Sequence, residues 1–204
     1  MKLLTLATCT LTLAFALARD FPVSNKSAPV TDGNILRVGY QATLQADKPV
    51  QGGIVGISGE NGAGVQVAVN FFAFPDDAGP FEYHIHENPV PSNGCCNATG
   101  AHLDPYNATE IPPCNPQNPS ICQVGDLSGK HSKVNESVLA SSPFFQTQYL
   151  DPFLSTSSAN VAFFGNRSLV VHAANGTRLN CGSFVLAGAN LALALGALGA
   201  AFVI

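Results

Sequence analysis

The chain reads as an all-β domain: an eight-stranded Greek-key barrel or sandwich with one long disulfide-stapled loop. Three observations predict this. Short segments alternate or run apolar between Gly, Pro, Asn and Asp; no amphipathic helical period of useful length appears; and a central stretch rich in Pro, Asn, Gly and Ser holds four of the six cysteines.

In chain order, Ile35–Gln45, Val50–Ser58 and Gly64–Phe74 read as three antiparallel strands joined by turns, and Phe81–Glu87 as a fourth. From Asn88 to Lys133 no strand or helical period persists. A loop of that length in a compact domain is functional or disordered, and its cysteines argue for order. Lys130, His131 and Lys133 near its end read as a solvated stretch. Strand patterns resume at Val134–Leu139 and Ala159–Phe164, then at Leu169–Ala173 and Arg178–Leu186.

The two ends differ from this domain, which spans residues 19–187. Residues 1–18 carry one Lys, an apolar run and the small-residue site Ala16-Leu17-Ala18, the pattern of a secretory signal. Residues 188–204 close a charge-free apolar tail that reads as a signal for a glycolipid (GPI) anchor, with a membrane span as its alternative. Six Asn-x-Ser/Thr acceptors at Asn25, Asn97, Asn107, Asn135, Asn166 and Asn175 agree with export to the cell surface or wall. Loss of Lys2 with the signal takes the net charge from −4 to −5, and the basic residues are scattered, so nucleic acid is excluded as a partner. Cys9 leaves with the signal, and in an oxidising compartment the five later cysteines should form two bridges and leave one thiol over. Cys114 and Cys122 suit a local bridge across seven intervening residues.

The chemistry gathers on histidine. Alternation along a strand puts His84 and His86 on one face and Ile85 on the other, which makes half a metal site. His102 follows in Gly100-Ala101-His102-Leu103-Asp104-Pro105, and His172 closes a Val-Val run, so four of the five histidines have strand or strand-end settings. Imidazoles without an adjacent carboxylate lean toward copper or zinc.

Five segments taken together resemble, in order, the signatures of the copper/zinc superoxide dismutases. They are Tyr83-His84-Ile85-His86-Glu87, Gly100 to Pro105, Val124-Gly125-Asp126-Leu127, Leu169-Val170-Val171-His172 and Gly176-Thr177-Arg178-Leu179-Asn180-Cys181-Gly182. The resemblance implies that His84, His86, His102 and His172 ligate copper, with His102 in the place of the histidine that bridges to zinc. It implies that Arg178 steers the superoxide anion and that Cys181 forms the family's internal disulfide. Family spacing back from His102 selects Cys96 over Cys95 as its partner, which would leave Cys95 unpaired.

Two departures narrow the resemblance. No His lies between Leu103 and Gly125, Gln123 stands where a zinc-binding His would, and only Asp126 remains of the separate zinc ligands. Only Ala173 to Thr177 separate His172 from Arg178, where the family carries a long charged loop. The chain is thus similar to the copper-only superoxide dismutases of fungal cell surfaces. That resemblance implies one copper ion, no zinc, an open site and dismutation of superoxide to dioxygen and hydrogen peroxide, with His102 carrying a proton. Asp126 is expected to orient His102 through its distal nitrogen, and the protein to act as a monomer. The alternative is a cell-surface protein that binds and buffers copper without turnover, which would have no need of Arg178 or Asp126.

Overall fold

The computed structural model describes residues 27–188. The leader, Asn25 and the tail beyond Gly188 lie outside the described residues. Seven strands form one antiparallel sheet: β1 (Gly39–Thr43), β2 (Gln51–Ser58), β3 (Val65–Phe72), β4 (Glu82–His86), β5 (Phe144–Asp151), β6 (Ser168–His172) and β7 (Arg178–Leu186). Their order is β4-β6-β7-β1-β2-β3-β5. The sheet is curled, because Tyr83 on one outer strand packs 6.0 Å from Phe145 on the other and 5.6 Å from Phe71 on β3. Inside the curl, Phe71, Phe81, Tyr83, Ile85, Leu127, Leu169 and Val171 form the centre of a dry core.

Six of the eight expected strands appear, two do not, and one was missed. Val134–Leu139 is not a strand: Val134 makes a single bridge to Phe81, and helix α2 (Glu136–Ser141) follows. Ala159–Phe164 is a turn, because the Asn160 side chain accepts from the Ala162 N–H at 2.9 Å and its carbonyl from the Phe163 N–H at 3.0 Å. Such local capture removes backbone groups from a ladder. The overlooked strand is β5, which pairs with β3 along its whole length, from Phe72↔Phe144 to Val65↔Asp151.

Alternation sends Phe81, Tyr83 and Ile85 into the core and Glu82, His84 and His86 outward. Yet His84 is only 4% exposed and His86 fully buried, because the long loop folds back over this outer face. The loop pairs with β4 itself: the Ile85 N–H donates to Gly125 O at 2.9 Å, and Leu103 N–H donates to Ile85 O at 2.8 Å. A Cβ on Gly125 would stand 2.4 Å from the Ile85 carbonyl oxygen, so only glycine admits this contact.

Among the described residues two disulfides staple the loop, Cys96–Cys181 to β7 and Cys114–Cys122 within itself. None of the described cysteines is free, so the thiol expected to remain at Cys95 is not found. A short helix α1 (Leu127–His131) ends the loop, and it is not a solvated stretch. Lys130 is buried with its Nζ 2.5 Å from Asp151 Oδ2 and donating to Val124 O at 2.8 Å, while His131 Nε2 lies 2.9 Å from the same carboxylate oxygen. Lys133 alone remains at the surface, paired with Glu82.

Candidate metal centre

His84 and His86 come from β4, His172 from the end of β6, and His102 from a loop residue that bridges to His86. Each offers one ring nitrogen to a common point, these four atoms lying within 4.8 Å of one another. The reverse side of each ring fixes which nitrogen faces inward. His86 Nδ1 lies 3.0 Å from Gly100 O and His172 Nδ1 lies 3.2 Å from Gly176 O. A carbonyl only accepts, so both Nδ1 atoms carry the proton and both Nε2 atoms present lone pairs. Those Nε2 atoms face each other at 3.1 Å, where two lone pairs repel.

The other two rings follow the same logic with side-chain partners. His102 Nδ1 donates to Gln123 Oε1 at 2.7 Å, and Glu110 Oε1 stands 3.4 Å away, which leaves Nε2 as the inward lone pair. His84 is turned the other way. Its Nε2 lies 3.3 Å from Asp126 Oδ1 and 3.2 Å from Ser128 Oγ, and its buried Nδ1 has no hydrogen-bond partner. A buried polar atom left without a partner costs about 1–3 kcal/mol. Four converging lone pairs, one of them orphaned, fit a cation held by neutral imidazoles, and the all-nitrogen donor set suits copper.

Burial keeps three of the rings, His86, His102 and His172, neutral and ready to ligate. It holds the His86 pKa down to about 2 and that of His172 to about 3, and lowers His102 as well. For Asp126, burial raises the pKa, but the hydrogen bond from His84, the Gly129 N–H and the nearby Lys130 ammonium together bring it below the ordinary value. Asp126 therefore stays a carboxylate, capping α1 through Gly129 N–H at 2.7 Å.

Asp126 does not take the place expected of it. Its carboxylate backs His84, whereas His102 is backed by Gln123. The reason is local: as the residue that caps α1, Asp126 makes a bridge with His84 on β4, and Gln123 occupies the distal side of His102. Ser128 and Glu110 were not picked out from sequence, and neither residue type stands out in a polar loop.

Arg178 begins β7 beside the centre. Its Nη1 donates to Cys96 O at 2.9 Å and to Thr99 Oγ1 at 2.9 Å, and its Nη2 to Gly100 O at 2.7 Å. Gly100 O thus holds the guanidinium and the His86 ring at once. The Cys96–Cys181 disulfide ties that turn to β7, the strand from which Arg178 projects. The Asn97, Asn107, Asn135, Asn166 and Asn175 side chains all belong to exposed residues. Behind His84 and His102 opens a cavity of about 570 Å³, lined in part by Glu110, Gln123, Asp126 and Ser128.

No family model matches the chain. Among curated proteins, it is 37% identical over 173 residues to the cell surface Cu-only superoxide dismutase 5 of Candida albicans, covering 84% of this chain and 68% of that protein. It is 34% identical over 197 residues to the cell surface Cu-only superoxide dismutase of Arthroderma benhamiae, covering 84% of this chain and 52% of that protein. A solved structure of the Candida albicans superoxide dismutase 5, in its Cu(II) form, superposes with a TM-score of 0.65 at 34% identity, over 76% of this chain and 95% of that one. By sequence and by fold, the chain belongs to the cell-surface copper-only superoxide dismutases.

Proposed function

We propose that the protein is an extracellular superoxide dismutase that works with one copper ion and no zinc. The observation that carries this reading is the convergence of four neutral imidazole lone pairs, with His84 Nδ1 left without any other partner. His84, His86, His102 and His172 would hold the copper, which would supply the one-electron couple that dismutation of superoxide requires. Zinc has no comparable seat: behind His102 stand the Gln123 amide oxygen and one exposed carboxylate, that of Glu110, with no further imidazole, and the carboxylate on His84 already caps a helix.

The residues around the centre divide the remaining work. Arg178, fixed by the 96–100 turn, presents a permanent cation that draws a small anion toward the four rings. His102 is the ring placed to carry a proton at Nε2 toward product, with Gln123 keeping the opposite proton on Nδ1. Asp126 and Ser128 orient His84.

The curled sheet is read as the family's Greek-key barrel, with the Asp126 to Val134 segment, bridged to β4, taking the place of an eighth strand. The leader, the exposed Asn-x-Ser/Thr sites and the apolar tail support a glycosylated protein held at the cell surface by a lipid anchor. Copper loading followed by metal analysis and a superoxide-consumption assay tests the reading. One copper, no zinc and fast turnover are expected. Copper bound without turnover would make it a buffering protein instead.

A further inference from the structure

Five of the exposed large apolar side chains gather at one end of the sheet. Ile35 (62% exposed) and Leu36 (59%) lie in the turn before β1; Val185 (54%) and Leu186 (67%) end β7; Leu150 (50%) is the last residue but one of β5. Hydrogen bonds place these segments side by side: Val38 N–H donates to Ile35 O, Ala187 N–H to Gly39 O and Ser58 N–H to Val38 O. Leu150 Cδ1 lies within 3.2 Å of where a Cβ on Gly59 would stand, in the loop that follows β2. Scattered exposed leucines need no explanation, but a cluster of them marks an interaction surface.

The sequence beyond that end names the occupant. From Leu191 to Ile204 the chain has no charged residue, and Leu191 comes only five residues after Leu186. Five extended residues reach no more than about 18 Å. We infer that this end of the barrel rests on the lipid bilayer, with Ile35, Leu36 and Leu186 at the headgroup and acyl boundary. The inference rests on the anchor reading above and adds to it an orientation. Arg37, exposed between Leu36 and Val38, is placed to meet lipid phosphates, and an anchor attached within a few residues of Leu186 keeps this end nearest the bilayer.

The chain has no tryptophan, so an introduced indole reports alone. The full chain, matured by a secretory host, is reconstituted with phosphatidylcholine vesicles carrying brominated acyl chains. Leu36→Trp reports on the apolar end, and Ile111→Trp, at a position 86% exposed in the long loop, reports on the rest of the surface. The expected result is flotation of both variants with the vesicles, with blue-shifted and bromolipid-quenched emission from Leu36→Trp and neither change from Ile111→Trp. Protein that floats while Leu36→Trp stays unquenched overturns this inference alone. Blue-shifted but unquenched emission also overturns it, since a second copy or the N-terminal segment then covers the end. Protein that does not float overturns the anchor reading and this inference with it.

Discussion

Replacing Lys130 with Met should be among the most damaging single changes outside the metal ligands. Lys130 Nζ and Asp151 are both fully buried, 2.5 Å apart, and every acceptor site of the carboxylate is used. Oδ2 takes Lys130 and His131; Oδ1 takes the Phe153 N–H at 2.9 Å and the Leu154 N–H at 3.2 Å. The Lys130→Met side chain fits the same volume but leaves the carboxylate without its cation. Breaking a buried pair from one side costs about 3–5 kcal/mol, a large part of the 5–15 kcal/mol that holds a domain. At roughly 2–4 °C per kcal/mol for a domain of this size, the melting temperature should fall by about 10 °C. The assay is thermal and guanidinium unfolding of the copper-free protein, so that metal binding does not mask the loss. The double variant Lys130→Met with Asp151→Asn should recover much of it, because the amide oxygen still accepts from Phe153 and Leu154. A cost below about 1 kcal/mol for the single change, or no recovery in the double, would refute the reasoning.

Four further outcomes are expected. His84→Ala should abolish stoichiometric copper binding while leaving the fold intact, which metal analysis and circular dichroism check together. Ser128→Ala, which removes the hydroxyl 3.2 Å from His84 Nε2, should weaken copper affinity by roughly 10-fold and alter the Cu(II) electron paramagnetic resonance spectrum, as changes behind a ligand commonly do. Arg178→Met should lower kcat/KM by roughly tenfold and flatten its dependence on ionic strength, with copper content unchanged. In the copper-free protein, burial holds His86 to about 2 and His172 to about 3, below their unfolded values, so the unfolded chain binds more protons once pH falls under about 6.5. Guanidinium midpoints should therefore drop steadily between pH 6.5 and 4, and a flat profile would contradict neutral rings.

Half of the ligand set was legible from local geometry, since period-two alternation alone puts His84 and His86 together. His102 and His172 belong to distant segments, and only the resemblance of five segments to a known family tied them to that pair. What backs each ring was not legible, because the acceptors are Gly100, Gly176 and Gln123, and a backbone carbonyl leaves no mark in a sequence. Asp126 was recognised as a residue of the site but assigned to the wrong ring, since the choice turns on where a five-residue helix docks. Lys130 resembled a solvated lysine because its partner, Asp151, belongs to a strand that was itself missed. That strand hides its period: Phe144 and Leu150 face out while Thr147 and Asp151 face in, so polarity and orientation run against each other.

These partners explain how a copper centre can do without zinc. A bridging histidine normally has a metal on each side, and removing one should leave its ring free to rotate. Here Gln123 Oε1 holds His102 Nδ1 at 2.7 Å, the shortest of the contacts behind the four rings, and is itself steadied where Gln123 Nε2 donates to Asp104 Oδ2 at 3.3 Å. An amide fixes the ring's tautomer without adding charge, whereas zinc would add two positive charges beside the copper. The buried negative charge has moved instead to His84, whose Nε2 faces Asp126 across 3.3 Å, while the carboxylate nearest His102, that of Glu110 at 3.4 Å, lies in solvent. Orientation is thus assigned to one ring and charge balance to another, and both partners sit on the strap that pairs with β4 at Ile85 and runs into α1. The buried Lys130–Asp151 pair fixes the end of that strap, which connects the core's one internal ion pair among the described residues to the geometry of the metal centre.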